Sequence, residues 1–289
     1  MARASAGADG PIHLLVTLDE NYLRQLQVLL TSIAANDPGE RAEVYLLHSD
    51  IPQAGLKGVD DQCRALGWAL HPIRADAALF EDAPVTKRYP KEMYYRLLAP
   101  RLLPEHLGRI LYLDPDMLVI NPLRPLWETD LKGNLFAAAS HTGVTGITND
   151  VNRIRLGTES DYFNSGVLLM DLDGCRREVL PEDVFSYVSD RGAGLLLPDQ
   201  DVLNAMYGTR ILPLDDFVWN YDARYYSSYL LRSSGVADMD WVMANTAILH
   251  FCGRAKPWKP GYPYRFGVLY KHYAQMTQRR FGVGAEKRA

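Results

Sequence analysis

Arg109-Ile110-Leu111-Tyr112-Leu113-Asp114-Pro115-Asp116-Met117-Leu118-Val119 constrains this chain more than any other stretch. Ile110 to Leu113 is an unbroken apolar run of strand length, the pattern of a strand covered on both faces. Two carboxylates follow at once. In extended backbone, residues two apart project to the same side, so Asp114 and Asp116 are expected to converge. Pro115 between them has no N–H to donate, which suits the end of a ladder. Paired hard oxygens at a strand tip fit a divalent cation whose remaining ligands come largely from phosphate.

The spelling D-x-D is not informative by itself. It occurs at 114/116, 171/173, 199/201 and 238/240, and random placement of the chain's aspartates would give about half as many pairs. The first follows directly on an apolar strand, which is the argument for it. Asp171 and Asp173 read as turn and cap residues, and Asp238 and Asp240 as solvated loop acids.

The surrounding pattern is α/β. Residues 12–18 read as a first, central strand. Leu23, Leu26, Leu30 and Ile33 then recur at helical spacing as far as Asn36 and Pro38. Strands are predicted at 43–48 and 68–73 with a helix between, so the chain opens β-α-β-α-β, the signature of a doubly wound, mostly parallel sheet. Asp19 to Tyr22 falls at the carboxyl end of the first strand, where such sheets place ligands. Residues 83–90 read as a loop, 91–98 as a short helix, 135–140 as a strand and 141–160 as a long binding loop. A second apolar strand is entered at 162–172, and helices follow at 181–189 and from Pro198. A short strand at 247–249 ends on His250. A helix with a basic end is expected after Gly267.

Composition removes several functions. A formal net charge of −4 argues against nucleic acid as the main partner. Cys63, Cys175 and Cys252 are widely spaced and odd in number, so neither a disulfide framework nor a cysteine metal site follows, and a reducing cytosol is the natural inference. No apolar run approaches the ~18 residues of a membrane span. Residues 1–11 lack an apolar core and read as a disordered terminus, not a signal peptide. The expected organisation is 1–11 disordered, 12–266 one globular domain and 267–289 a basic helix and tail. The expected location is cytoplasmic, with peripheral contact on the inner face of a membrane through that tail.

His250 mirrors Asp116, a polar residue at the tip of a short apolar strand. Imidazole with two carboxylates is a softer set than all oxygen and leans to Mn2+, with Mg2+ the alternative. Gly253 allows close backbone approach to a ligand, and Lys256 is a point charge suited to phosphate. Cation and lysine together would neutralise a leaving diphosphate.

Asp19-x-Asn21-Tyr22, Tyr95-Arg96-Leu97, Leu113-Asp114-x-Asp116, Phe163-Asn164-Ser165-Gly166, Asp199-Gln200-Asp201-x-Leu203-Asn204 and His250-x-x-Gly253-x-x-Lys256-Pro257-Trp258 occur in one order. That ordered set resembles glycosyltransferase family eight, the group of the lipopolysaccharide galactosyltransferases and glycogenin, over residues 12 to 260. The resemblance implies a GT-A fold, a Rossmann-like nucleotide-diphospho-sugar transferase with a mixed, mostly parallel central sheet. It also implies a retaining hexosyltransferase using UDP-glucose or UDP-galactose and Mn2+.

By the same resemblance Asp114, Asp116 and His250 are the metal ligands. Asp19, Asn21 and Tyr22 hold uracil and ribose, with Gly253 and Lys256 on the diphosphate. Arg96, Asn164, Asp199 and Gln200 hold the donor sugar, Gln200 beneath the anomeric carbon. Front-side attack with the leaving UDP oxygen as base is favoured, since an amide is a poor nucleophile. Asp201 is the runner-up nucleophile, its bland alternative being a first-turn helix acid. Ser165 and Arg254 stand where relatives vary, so the hexose stays open. The acceptor is expected to be a saccharide, lipopolysaccharide or other glycoconjugate. Two further readings remain: a self-glycosylating priming protein, suggested by Tyr221, Tyr225, Tyr226 and Tyr229, and a module that binds UDP-sugar without transfer.

Overall fold

A computed structural model describes residues 10–75, 77–84, 92–140, 147–191 and 194–282. Among the described residues, ten strands form two sheets. They are β1 (Ile12–Thr17), β2 (Ala42–His48), β3 (Ala69–Arg74), β4 (Arg109–Leu113), β5 (Met117–Val119), β6 (Phe136–Ala139), β7 (Val167–Asp171), β8 (Ile211–Leu214), β9 (Tyr221–Asp222) and β10 (Ile248–His250). The larger sheet has the order β3-β2-β1-β4-β7-β6-β8 and the smaller the order β5-β10-β9. Within the larger sheet only β7 runs against its neighbours β4 and β6. The architecture is therefore the mixed, mostly parallel α/β sheet that the sequence pattern implied.

Central strands are apolar on both faces because helices cover both. Leu14 and Val16 join the core beneath the helices Leu23–Asn36 and Gln53–Ala65, while Leu15 joins the core on the opposite face. Ile110 and Tyr112 likewise face one core, and Leu111 and Leu113 the other. This is the two-residue period of a pleated strand. Leu26, Leu30 and Ile33 are buried as their spacing predicted, each contributing about 1.5–3 kcal/mol of apolar transfer. The two edge strands, β3 and β8, carry Pro72 and Pro213, which cannot donate to a further strand.

The organising strand ends where it was expected to: β4 stops at Leu113 and the chain bends through Asp114-Pro115-Asp116. Four features were not foreseen. After the bend, β5 begins a different sheet. The proline ends the ladder, and β5 pairs with β10 instead. Within the long polar segment, residues Ile147–Leu156 form a helix, not a loop; 141–146 lie outside the described residues. The strand β8 was hidden by its length and its proline. The helix read at 91–98 spans Glu92–Leu102 and keeps Pro100 in its last turn. Residues 1–9 of the expected disordered start, 85–90 of the expected loop and 283–289 of the expected tail also lie outside the described residues.

The final helix, Gly267–Phe281, packs on Leu23–Asn36. Thr277 Oγ1 donates to Thr31 Oγ1 at 2.8 Å, and Asn36 Nδ2 donates to Tyr273 Oη at 2.7 Å. Among the described residues no helix is long and apolar enough to cross a membrane.

Candidate active site

The site lies where the two sheets meet. In the β5–β10 register His250 faces Met117, which sets its imidazole beside Asp116. Backbone bonds hold the corner: Phe251 N donates to Asp116 O at 3.0 Å, and Asp114 N donates to Gly166 O at 2.9 Å. His250 Nε2 stands 3.3 Å from Asp116 Oδ1 and 3.9 Å from Asp114 Oδ2. One donor atom from each of the three residues falls within 4.8 Å of the others. Two ligands of one cation at ~2.1 Å bonds stand up to about 4.2 Å apart, so small side-chain rotations close this set on an ion. Two carboxylates and one imidazole fit a divalent ion of the Mn2+ or Mg2+ kind.

Electrostatics keep the corner charged. Burial alone would raise the Asp116 pKa, but His250 and then Lys256 outweigh it and hold the carboxyl well below its ordinary range. Burial opposes a charged His250; the Cys252 sulfur and the Asp116 carboxylate prevail, so its pKa stands well above that of a free imidazole. Lys256 Nζ bonds Asp116 Oδ2 and donates to Phe251 O at 2.9 Å. The lysine and the carboxylate pair therefore already form one electrostatic unit.

Two cavities open from this corner and share Arg96, Asp114 and Asp116. The smaller, about 300 Å3, is lined by Thr17, Leu18, Asp19, Tyr22 and Pro115 besides the shared residues. Asp19 Oδ1 accepts from Asn21 N at 2.9 Å, and Asn21 Nδ2 donates to Asp19 Oδ2 at 3.2 Å. These two residues thus brace each other at the strand-to-helix turn, Asn21 exposed and Tyr22 with its ring edge toward Trp258. The larger cavity, about 760 Å3, takes in Asn164, Asp199, Gln200, His250 and Gly253 and runs on to Arg224, Tyr225 and Arg232.

Arg96 bridges the two. Its guanidinium pairs with Asp114 and Asp199 at 3.1 Å each, donates to Ser165 O and Oγ at 3.0 Å, and lies over the Tyr112 ring. Burial disfavours its charge, yet Asp114 and its neighbours hold the pKa above the ordinary arginine value. Asn164 Nδ2 donates to Gln200 Oε1 at 3.1 Å, and Asn164 Oδ1 accepts from Gly166 N at 3.0 Å. Gln200 Oε1 accepts also from Ser165 N at 3.3 Å.

Asp201 goes elsewhere. It is fully buried, chelated by Arg155 and bonded by Tyr162, and accepts from the backbone of Leu196 and Leu197. Most of the other expected residues line the two cavities, Asn21 and Lys256 stand behind them on Asp19 and Asp116, and this carboxylate is turned into the fold. Helical geometry is the cause, since i and i+2 on a helix face apart.

Sequence reading missed several contributors. Tyr112, two residues before Asp114, donates its hydroxyl to Asp114 Oδ1, a partner the strand period could have indicated. Gly166 is sterically required: a Cβ there would lie 2.5 Å from His250 Cε1 and 2.8 Å from Asp114 Oδ2. Gly253, which the sequence did single out, has φ +81, and a Cβ on it would meet the Arg224 guanidinium at 2.5 Å. The pairs Asp222–Arg224 and Asp216–Arg232 on the cavity wall, and Asn220 behind His250, carry no local sequence signal.

A sequence profile described as Glycosyl transferase family 8 matches residues 13–260. The chain belongs to this family. Among its relatives, General stress protein A of Bacillus subtilis is 28% identical over 278 residues, covering 93% of this chain and 95% of that protein. The lipopolysaccharide 1,2-glucosyltransferase of Escherichia coli K12 is 27% identical over 257 residues, covering 83% of this chain and 71% of its own length. A crystal structure of the galactosyltransferase LgtC with donor and acceptor sugar analogues superimposes with a TM-score of 0.76 at 25% identity, over 92% of this chain and 96% of that one. This family 8 protein is a GT-A hexosyltransferase, and its Asp114–Asp116–His250 corner is a candidate cation site of that fold.

Proposed function

We propose that this family 8 enzyme transfers glucose or galactose from UDP to a saccharide or glycoconjugate hydroxyl, with retention of configuration and dependence on Mn2+. The observation that carries the reading is the meeting of Asp114, Asp116, His250 and Lys256 at the junction of the two cavities. Asp114, Asp116 and His250 would hold Mn2+, which when bound supplies positive charge to the leaving diphosphate. Asp19, Asn21 and Tyr22 line or flank the smaller cavity and would take uracil and ribose. Lys256 and the Gly253 backbone would meet the diphosphate, and Arg96, Asn164, Asp199 and Gln200 the hexose.

The polar contacts of Gln200 support front-side attack. Its Oε1 already accepts two hydrogen bonds, which weakens a poor nucleophile further. Asp201 is committed to Arg155 and Tyr162, and Asp199 to Arg96. The acceptor oxygen would bond to the anomeric carbon on the face from which the UDP oxygen departs. That departing oxygen would take the acceptor's proton. Purified protein incubated with UDP-glucose or UDP-galactose, with Mn2+ or with EDTA, tests this. Mn2+-dependent UDP release and an α-configured product are expected; turnover undiminished in EDTA, or a β product, refutes it.

A self-glycosylating reading has one observation in its favour, the half-exposed Tyr225 on the wall of the larger cavity. Tyr221 and Tyr229 are buried and stacked on each other, which is a packing role. Intact mass after incubation with UDP-glucose decides between them, since one added hexose is required. Peripheral membrane contact remains a proposal built on Arg279 and Arg280 in the last turn of the final helix. Flotation with anionic against neutral vesicles tests it.

A further inference from the structure

Asn220 is fully buried directly behind the cation corner. Its side chain stands 2.9 Å from His250 Nδ1 through Oδ1 and donates through Nδ2 to Asn164 Oδ1 at 2.9 Å. Asn164 Nδ2 in turn donates to Gln200 Oε1 at 3.1 Å. A single run of side-chain hydrogen bonds therefore joins the His250 imidazole to the Gln200 amide. It passes beneath the donor-sugar face.

Two backbone groups fix the direction of that run. Gly166 N can only donate, so the atom it meets on Asn164 is the oxygen. Ser165 N can only donate, so the atom it meets on Gln200 is likewise the oxygen. The Asn164 amide nitrogen then has to point at Gln200. Asn220 must present its own nitrogen to Asn164 Oδ1, which leaves Asn220 Oδ1 facing the imidazole. That oxygen can only accept, so a neutral His250 carries its proton on Nδ1 and its lone pair on Nε2, the nitrogen that faces the carboxylates.

We propose that Asn220 is a positioning residue that sets the His250 tautomer and, through Asn164, the direction of the Gln200 amide, so that the cation site and the donor-sugar face are oriented together. The inference rests on the UDP-hexose transfer reading above. One end of Asn220 serves the ion and the other serves the sugar, and the two ends can be separated by substitution. Asn220→Asp keeps an acceptor for Nδ1–H at nearly constant shape but turns the donor toward Asn164 into an acceptor. Asn220→Leu removes both ends at similar volume.

The test is a Mn2+ titration followed by electron paramagnetic resonance, with and without UDP, alongside steady-state kinetics and melting temperature for both variants. Asn220→Asp is expected to bind Mn2+ within about twofold of the native protein while kcat falls at least tenfold, and Asn220→Leu to lose at least tenfold in both. Either variant turning over like the native protein overturns the proposal. So does Asn220→Asp losing Mn2+ affinity as far as Asn220→Leu, or losses in both that simply follow a lowered melting temperature. Because Asn220→Asp is isosteric, it decides the matter even if the leucine variant does not fold. Failure of the underlying transfer reading looks different: the native protein itself would then show no Mn2+ binding or no donor turnover.

Discussion

Asp114/Asp116 and Asp199/Asp201 share one spelling and have opposite fates. At the bend between β4 and β5 both carboxylates turn toward one imidazole and one cation-sized space. On the first turn of the helix Pro198–Tyr207 they part: Asp199 pairs with Arg96 on the cavity wall, and Asp201 is swallowed by Arg155, Tyr162 and two backbone amides. The difference is rotational. Residues two apart are about 200° apart on a helix, whereas the bend through Asp114-Pro115-Asp116 brings both carboxylates to one side. A motif thus acquires its chemistry from the backbone that carries it.

That contrast can be broken by substitution. The largest effect is expected from Asp116→Asn, which removes a ligand and the partner of Lys256 together; Mn2+-dependent turnover should fall by about 1,000-fold or more, measured as UDP release at saturating donor. Asp199→Asn should lower kcat by about 100-fold while leaving the melting temperature nearly unchanged, because its loss frees Arg96 without opening the core. A comparable loss of turnover in Asp201→Asn at unchanged stability would break the comparison and restore Asp201 as a reacting group.

Asp201→Asn is instead expected to act on stability, costing about 3 kcal/mol by leaving Arg155 without its buried partner, read from urea unfolding. The pH dependence has a definite sign. Burial alone would raise the Asp201 pKa, but the hydrogen bonds from Arg155, then Tyr162 and the Leu196 amide, hold it below the ordinary carboxylate value. A group with a depressed folded-state pKa stabilises fully above the unfolded value, about pH 4, and loses that contribution as pH falls through the folded one. The stability gap between native protein and Asp201→Asn should therefore stay constant above about pH 5 and close on further acidification. A gap that widened in acid would contradict the assignment.

The smallest effect belongs to the fourth pair. Asp238 caps the helix Met239–Asn245 by accepting from Trp241 N at 2.8 Å. Asp238→Ala should cost about 1 kcal/mol of stability and leave turnover unchanged. A change in turnover would mean that a D-x-D pair far from the cavity matters to it.

Much of the site was legible in the chain because strand tips announce themselves. Apolar runs ending at Leu113 and Leu249 are followed at once by Asp114 and His250, and a mostly parallel sheet makes the end of a strand such as β4 its ligand side. Arg96, Asn164 and Gln200 became readable only through their order along the chain, which carries information no single residue has. Asn220, Tyr162 and Arg155 stayed hidden. Nothing local marks an asparagine between Trp219 and Tyr221 as the partner of His250 thirty residues on.

Alternation, helical spacing and the proline after Asp114 were sufficient to determine the layered α/β plan and the place where carboxylates gather, because these are short-range consequences of backbone geometry. Which way each carboxylate turns, and which imidazole nitrogen faces them, was decided only once β5 left the main sheet to pair with β10 and buried amides were forced to choose donors and acceptors. Those choices depend on contacts between segments far apart in the chain, and a buried polar group has to be satisfied by whatever the fold brings to it.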